Sequence, residues 1–81
     1  MTNIEKLKNL IVDTFLISPD EFRLDLERSE IETWDSLGVV SLAVGIEETF
    51  GYHFTPDEAT GLTGIADIVR ILTSKGITFD A

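Results

Sequence analysis

The sequence predicts a small all-α protein with three main helices, one short helix and a long first loop, arranged as a four-helix bundle. Apolar residues recur at spacings of three and four in three separate segments, which is the period of a helix. No stretch of strand length alternates between apolar and polar residues. Hydrophobic residues make up 43% of the 81 residues. We therefore expect one packed core and a single domain spanning residues 1–81.

The first predicted helix covers residues 4–17. Thr2 or Asn3 can cap its start, and Ser18-Pro19 is expected to end it. Its helical period is carried by Ile4, Leu7, Ile11 and Phe15. The long, acid-rich connection 18–34 begins with a capping-box pattern that predicts a short helical turn. Its apolar residues are expected to anchor it to the core: Phe22, Leu24, Leu26 and Ile31.

The second predicted helix covers residues 36–50. Asp35 is the natural N-cap, because its carboxylate can accept a hydrogen bond from the first turn. Trp34 precedes the cap and Val39 follows at the fourth helical position, the spacing of a hydrophobic staple. Gly51 can close the helix.

Two further helices are predicted towards the carboxyl end. Thr55-Pro56-Asp57-Glu58 is a capping box with proline at the first position, and it opens a very short helix that Gly61 ends. The last helix covers residues 64–74, with Thr63 as its cap and Gly76 as its stop. Its inward residues are expected to be Ile65, Ile68 and Leu72.

The second helix is apolar on two faces. At about 100° per residue, one arc is expected to face the core: Val39, Leu42, Ala43, Ile46 and Phe50. The opposite face carries what we call the outer strip: Leu37, Val44, Glu47 and Glu48. Apolar contacts rimmed by acids predict a surface that binds a partner, whereas the alternative is that Leu37 and Val44 complete the core against the long loop. Val40 lies between the faces and is expected to pack in the core, but it borders the strip and counts among the candidate docking residues.

Composition excludes several classes of function. The net charge is −9, from 15 acidic and 6 basic residues, so the chain should repel nucleic acids and anionic membranes. The absence of cysteine excludes disulfides and thiol catalysis. The sequence shows no apolar run of the length of a membrane span and no signal peptide. We expect a cytoplasmic monomer that does not insert into membranes.

Ser36 could be a nucleophile, a helix-start residue or a point of attachment. A hydrolytic serine needs a base, yet the single histidine, His53, follows the second helix instead of lying near its start. A calcium loop is not indicated, because residues 25–36 lack the glycine and the ligand spacing of an EF-hand. A phosphate ester on Ser36 would be well placed at the positive end of the helix dipole, although Asp35 partly opposes it.

The stretches "WDSLGVVSLAVGIEETFG" and "FTPDEATGLTGIADIVRIL" resemble the acyl carrier protein family, and the similarity runs from about Ile4 to Leu72. The resemblance implies that Ser36 receives 4′-phosphopantetheine from coenzyme A and carries acyl groups as thioesters, without catalysis of its own. It implies that Asp35 assists the magnesium-dependent transfer of this arm. The outer strip would dock on basic grooves of partner enzymes: a phosphopantetheinyl transferase, acyl- or aminoacyl-activating ligases, synthases and acyltransferases.

Three departures from the family pattern favour a specialised carrier over the housekeeping fatty-acid carrier. Thr33 stands where many members have glycine two residues before the aspartate, and Trp34 follows it. Gly38 stands where fatty-acid carriers usually have a polar or acidic residue, and Ser41 replaces a common glutamate. Because glycine after the motif also occurs in D-alanyl carrier proteins, an aminoacyl carrier is one alternative. An unmodified helical interaction module is another.

Overall fold

A computed structural model describes residues 2–79 as a bundle of four helices. They are α1 (Asn3–Phe15), α2 (Ser36–Phe50), α3 (Pro56–Thr60) and α4 (Ile65–Ser74). The connection between α1 and α2 contains two 3₁₀ turns, Pro19–Glu21 and Arg28–Glu30. The structure has no named strand in this range, and the predicted all-α class is confirmed. None of the described helices is long and apolar enough to cross a membrane.

The core lies between α1, α2 and α4 and is closed by apolar residues of the long loop. The inward residues predicted for α4 are fully buried, as are Leu42 and Ile46 of α2. Phe50, which the helical arc placed in the core, is only half-buried and packs at the end of α2 against Phe79, with ring centroids 5.6 Å apart. Val39 and Ala43 are also half-exposed, because α3 leaves the adjoining side of α2 partly uncovered.

The predicted caps that rest on local sequence are confirmed. Thr2, Ser18 and Thr55 each form a reciprocal capping box with the glutamate three residues later. α1, however, stops two residues earlier than predicted, because Leu16 adopts the left-handed conformation (φ 58°, ψ 37°). A left-handed residue after the last turn is a common way to end a helix. In a residue other than glycine this conformation is sterically strained, because the β-carbon approaches the following carbonyl oxygen.

The sequence predicted Thr63 as the cap of α4, and this prediction is wrong. Gly64 occupies the cap position, while the Thr63 hydroxyl donates to Asp67 Oδ2 at 2.6 Å. The reason is a close approach between two backbones. A β-carbon at position 64 would lie 2.7 Å from the Leu26 carbonyl oxygen, so only glycine allows this contact.

This contact belongs to what we call the loop clamp, in which residues 26–28 pair with residues 63–65. The Arg28 N–H donates to the Thr63 carbonyl and the Ile65 N–H donates to the Leu26 carbonyl, both at 2.9 Å. An isolated antiparallel bridge joins Glu27 to Gly64 between them. The clamp therefore fixes the middle of the long loop against the junction of α3 and α4.

The loop anchors are confirmed except for one. Leu26 and Ile31 are each 4% exposed, and Phe22 is partly buried against the core. Leu24 is 43% exposed. It lies within the turn that the Leu26 N–H closes on the Arg23 carbonyl at 3.2 Å, and this turn leaves its side chain towards solvent.

Candidate functional site

Ser36 is the first residue of α2, and Asp35 caps the helix as predicted. Asp35 Oδ1 accepts a hydrogen bond from the Gly38 N–H at 2.8 Å, and its carbonyl accepts from the Val39 N–H at 2.9 Å. The cap residue itself is extended, with φ −120°. The serine is thus held by a well-formed helix start rather than by a mobile loop.

The Ser36 side chain is exposed, and its hydroxyl makes no hydrogen bond within residues 2–79. The N–H groups of Ser36 and Leu37 likewise have no acceptor in this part of the chain. Free N–H groups in the first turn carry the positive end of the helix dipole. An anionic group attached to the exposed Ser36 oxygen would therefore meet the positive end of the helix, partly opposed by the neighbouring Asp35 carboxylate.

The start of α2 is fastened to the end of α1. The Trp34 ring stacks on the buried Phe15 ring, with centroids 4.8 Å apart and an interplanar angle of 9°. The Thr33 hydroxyl donates to the Phe15 carbonyl at 2.6 Å. The predicted contact between Trp34 and Val39 stays a prediction, although both residues line the groove described next.

An open groove of about 710 Å³ runs between α2 and α3, beside Ser36. Its walls are mainly apolar and come from both helices and the residues just before them: Trp34, Val39, Val40, Ala43 and Val44 on one side, and Phe54, Pro56 and Ala59 on the other. Its polar residues are Arg28, Asp35, Ser36, His53 and Thr60. The groove could not be predicted from the sequence, because its width depends on the distance at which α3 packs against α2.

Hydrogen bonds to Glu58 fix the α3 wall of this groove. The Tyr52 hydroxyl donates to Glu58 Oε1 at 2.6 Å, and the Thr55 N–H donates to the same oxygen at 3.0 Å. The Tyr52 hydrogen bond is the main reason that the pKa of Glu58 lies below its ordinary value. The same bond raises the pKa of Tyr52. Lys75 of the segment after α4 lies 5.4 Å from the centre of the Tyr52 ring, which ties this wall to α4.

His53 follows the end of α2, whereas Ser36 begins this helix. Its Nδ1 is 3.0 Å from Glu47 Oε2, and both side chains are exposed. Glu47 is three turns beyond Ser36, a distance of about 16 Å along the helix axis. The described residues contain no Ser36–His53 hydrogen bond, because His53 is engaged with Glu47 instead.

The outer strip is exposed to solvent, which a surface that binds a partner requires. Leu37 is 79% exposed and Val44 49%, so neither completes the core against the long loop. Glu47 and Glu48 are exposed beside them. The core interpretation of Val40 is wrong, because this residue is 61% exposed at the edge of the groove. Its position instead extends the apolar surface of the outer strip towards the groove.

Residues 2–79 contain no group of three or more His, Cys, Asp or Glu side chains placed to hold a metal ion. Asp35 is the one carboxylate among the residues that line the groove. Its Oδ1 is engaged with the Gly38 N–H, whereas its Oδ2 accepts no hydrogen bond from the described residues.

Comparisons with known proteins give several relatives that are named acyl carrier protein. The chain is 33% identical over 72 residues to the one from Campylobacter hominis, covering 89% of this chain and 91% of the relative. It is 32% identical to the one from Petrotoga mobilis, covering 88% and 84% of the two chains. It is 29% identical to the one from Coprothermobacter proteolyticus, covering 88% and 87%. No family model matches the chain.

The chain belongs to the acyl carrier protein family.

Proposed function

We propose that this chain carries acyl groups as thioesters on a 4′-phosphopantetheine arm attached to Ser36 Oγ. The observation that carries the proposal is the exposed, unpaired Ser36 hydroxyl at the free N–H groups of α2. Membership of the acyl carrier protein family supports it. When bound, the arm supplies a terminal thiol that can hold an acyl group as a thioester.

The residues around Ser36 fit such an arm. Its phosphate would lie near the N–H groups of Ser36 and Leu37, which need an acceptor. Asp35 Oδ2 is left available while Oδ1 caps the helix. This free oxygen supports a role for Asp35 in attaching the arm, where a magnesium ion would offset the repulsion between carboxylate and phosphate.

The groove between α2 and α3 suits an apolar cargo. Its walls are mostly aliphatic and aromatic, and it opens beside Ser36. Each methylene that leaves water for such a surface contributes about 0.8 kcal/mol. The chain itself would hold and orient the arm and shelter the cargo, without catalysis of its own.

Transfer to partner enzymes would use the outer strip. Exposed apolar side chains of Leu37 and Val44 lie on the same face of α2 as Glu47 and Glu48. A partner with a basic and partly apolar groove complements this surface in both respects. The partners expected are a phosphopantetheinyl transferase, acyl- or aminoacyl-activating ligases, and synthases or acyltransferases.

The attachment can be tested by intact mass measurement. The apo protein is incubated with coenzyme A, magnesium and a phosphopantetheinyl transferase. A bond forms between Ser36 Oγ and the phosphorus of the arm, the pyrophosphate bond of coenzyme A breaks, and adenosine bisphosphate leaves with the release of one proton. We expect one arm per chain in the parent and none in Ser36→Ala.

Ser41→Ala is the matched control, because Ser41 is an exposed serine on the same helix. This variant should accept one arm like the parent. Labelling of Ser36→Ala would refute attachment at Ser36, and circular dichroism would show whether each variant is folded. The mass of the native protein would also separate an acyl cargo from an aminoacyl cargo, and an unmodified native chain would favour the interaction module.

A further inference from the structure

One polar residue of the groove has no role so far. Arg28 lines the same groove as Asp35 and Ser36. It is the one lining residue with a permanent positive charge, and His53, the other basic residue, is occupied by Glu47. Arg28 is therefore the group best suited to meet an anion in the groove.

The Arg28 guanidinium is unpaired among the described residues, although the chain carries a net charge of −9. Within residues 2–79, Arg70 pairs with Asp67, and Arg23 pairs with both Asp25 and Glu30. The Arg28 side chain makes no ion pair or hydrogen bond with any residue of the same range. Because Arg23 takes two acids close to Arg28 in the sequence, the loop leaves the second guanidinium available.

The backbone of Arg28 is held in place from two sides. The loop clamp binds its N–H to the Thr63 carbonyl at 2.9 Å. The 3₁₀ turn that begins at Arg28 ends before Ile31, which is buried at 4% exposure. Glu30 Oε2 also accepts the Glu27 N–H at 2.9 Å, which steadies this turn. A charged side chain on a fixed backbone loses less conformational entropy when it binds than one on a mobile loop.

We propose that Arg28 is an oxyanion-binding residue of the groove and engages an anionic group of the arm or its cargo. The inference rests on the proposed attachment at Ser36. A guanidinium presents paired N–H donors that match the oxygens of a phosphate or a carboxylate. The arm supplies a phosphate next to Ser36, and a cargo with a terminal carboxylate would supply the same chemistry deeper in the groove.

The test is a thermodynamic cycle between Arg28→Gln and the state of the arm. Parent and variant are each prepared in four forms. Two carry no cargo: the apo protein and the protein with the bare arm. The other two carry acyl groups of equal length, one with an uncharged end and one that ends in a free carboxylate. Urea unfolding is followed by the emission of Trp34, the single tryptophan, which lines the groove. Glutamine keeps a polar side chain with N–H donors but removes the charge and the guanidinium.

We expect the anionic group to stabilise the parent more than Arg28→Gln. The difference should be about three- to tenfold in the unfolding equilibrium constant and should shrink as salt is added. Arg70→Gln is the control, because Arg70 does not line the groove and pairs with Asp67 on α4. In this variant the arm should change stability as it does in the parent.

Each outcome decides a separate question. A difference already present with the bare arm assigns the phosphate, and one that appears only with the carboxylate cargo assigns the cargo; either supports the proposal. Equal stabilisation of the parent and Arg28→Gln in every form would overturn the role of Arg28 and leave the attachment at Ser36 intact. A parent that accepts no arm would refute the proposed function, and the role of Arg28 with it.

Discussion

Gly38 allows the start of α2 to pack closely against Thr33 and Phe15, because it has no side chain. A β-carbon at this position would lie 2.6 Å from the Thr33 carbonyl oxygen and 2.9 Å from Phe15 Cε1. The first contact is with backbone, which cannot rotate away as a side chain can. Thr33 and Trp34 both contact Phe15, so the residues that depart from the family pattern here form one packed unit. Glycine at position 38 therefore has a steric reason that does not depend on the cargo.

The Tyr52–Glu58 hydrogen bond should be visible in the titration of one carboxyl group. Tyr52→Phe removes the main cause of the lowered pKa of Glu58, so this pKa should rise towards its ordinary value of 4.5. The folded-state pKa is depressed, so the stability that the bond contributes is present above the unfolded-state pKa and is lost as the pH falls through the folded-state pKa. The variant should therefore be less stable than the parent at neutral pH, and the difference should narrow as the pH falls through the folded-state pKa.

Carboxyl NMR titration of parent and variant would measure this shift. Glu5 is the internal control, because its lowered pKa comes from hydrogen bonds with Thr2, remote from Tyr52 in the sequence. Its titration should be unchanged. An unaltered Glu58 titration in Tyr52→Phe would mean that the Thr55 cap alone sets this pKa.

Residue roles that depend on near neighbours in sequence were predictable, and the others were not. Asp35 and Thr55 cap helices because each lies three residues before the N–H that it accepts. Gly64 was not predicted as a cap, because the need for glycine at this position comes from the close backbone of Leu26, which is distant in sequence. The left-handed Leu16 was missed because its sequence lacks the usual glycine or asparagine signal.

At the scale of elements, α2 has three environments where its sequence suggested two. Leu42 and Ile46 face the core, Val39 and Ala43 border the groove, and Leu37 remains in solvent. The helical period predicted the first and last of these environments. It could not separate a groove from a core, because that difference depends on how closely α3 packs against α2.

The outer strip should act on partner binding through two separable effects. Glu48→Lys should slow association with a transferase about tenfold at low salt, because rim charges steer the encounter. Leu37→Ala should instead speed dissociation, because an apolar contact near the centre of an interface holds the complex. Surface-binding kinetics at several salt concentrations would measure both.

Asp13→Lys is the matched control for charge. It changes the net charge by the same amount on an exposed site of α1, away from the outer strip. Glu48 is preferred to Glu47 because it forms no ion pair within residues 2–79, whereas Glu47 contacts His53. If Asp13→Lys slows association as much as Glu48→Lys, net charge governs the encounter. If Leu37→Ala dissociates like the parent, the outer strip is not the docking surface.

At the scale of the whole molecule, the charge of −9 on 81 residues opposes folding by self-repulsion. The four ion pairs among the described residues are on or near the surface, where such pairs contribute little. Added salt should therefore raise the melting temperature, by about 4–8 °C for each kcal/mol of repulsion that it screens.

Thermal melts in sodium chloride and magnesium chloride at equal ionic strength would measure this effect. A larger rise with magnesium would indicate binding among the acids of residues 20–35, beyond screening. A melting temperature indifferent to both salts would show that self-repulsion does not limit the stability of this fold.

The loop clamp has a consequence for how the groove can open. The residues that line the groove run from Arg28 to Thr60, and the clamp joins the chain at Arg28 itself on one side and just beyond Thr60 on the other. The groove is therefore built from one chain segment whose two ends meet. Amide protons of Arg28 and Ile65, which form the clamp, should exchange with solvent only when these ends part. Their exchange rates would report the opening of the groove walls as a unit, separately from the fraying of α1.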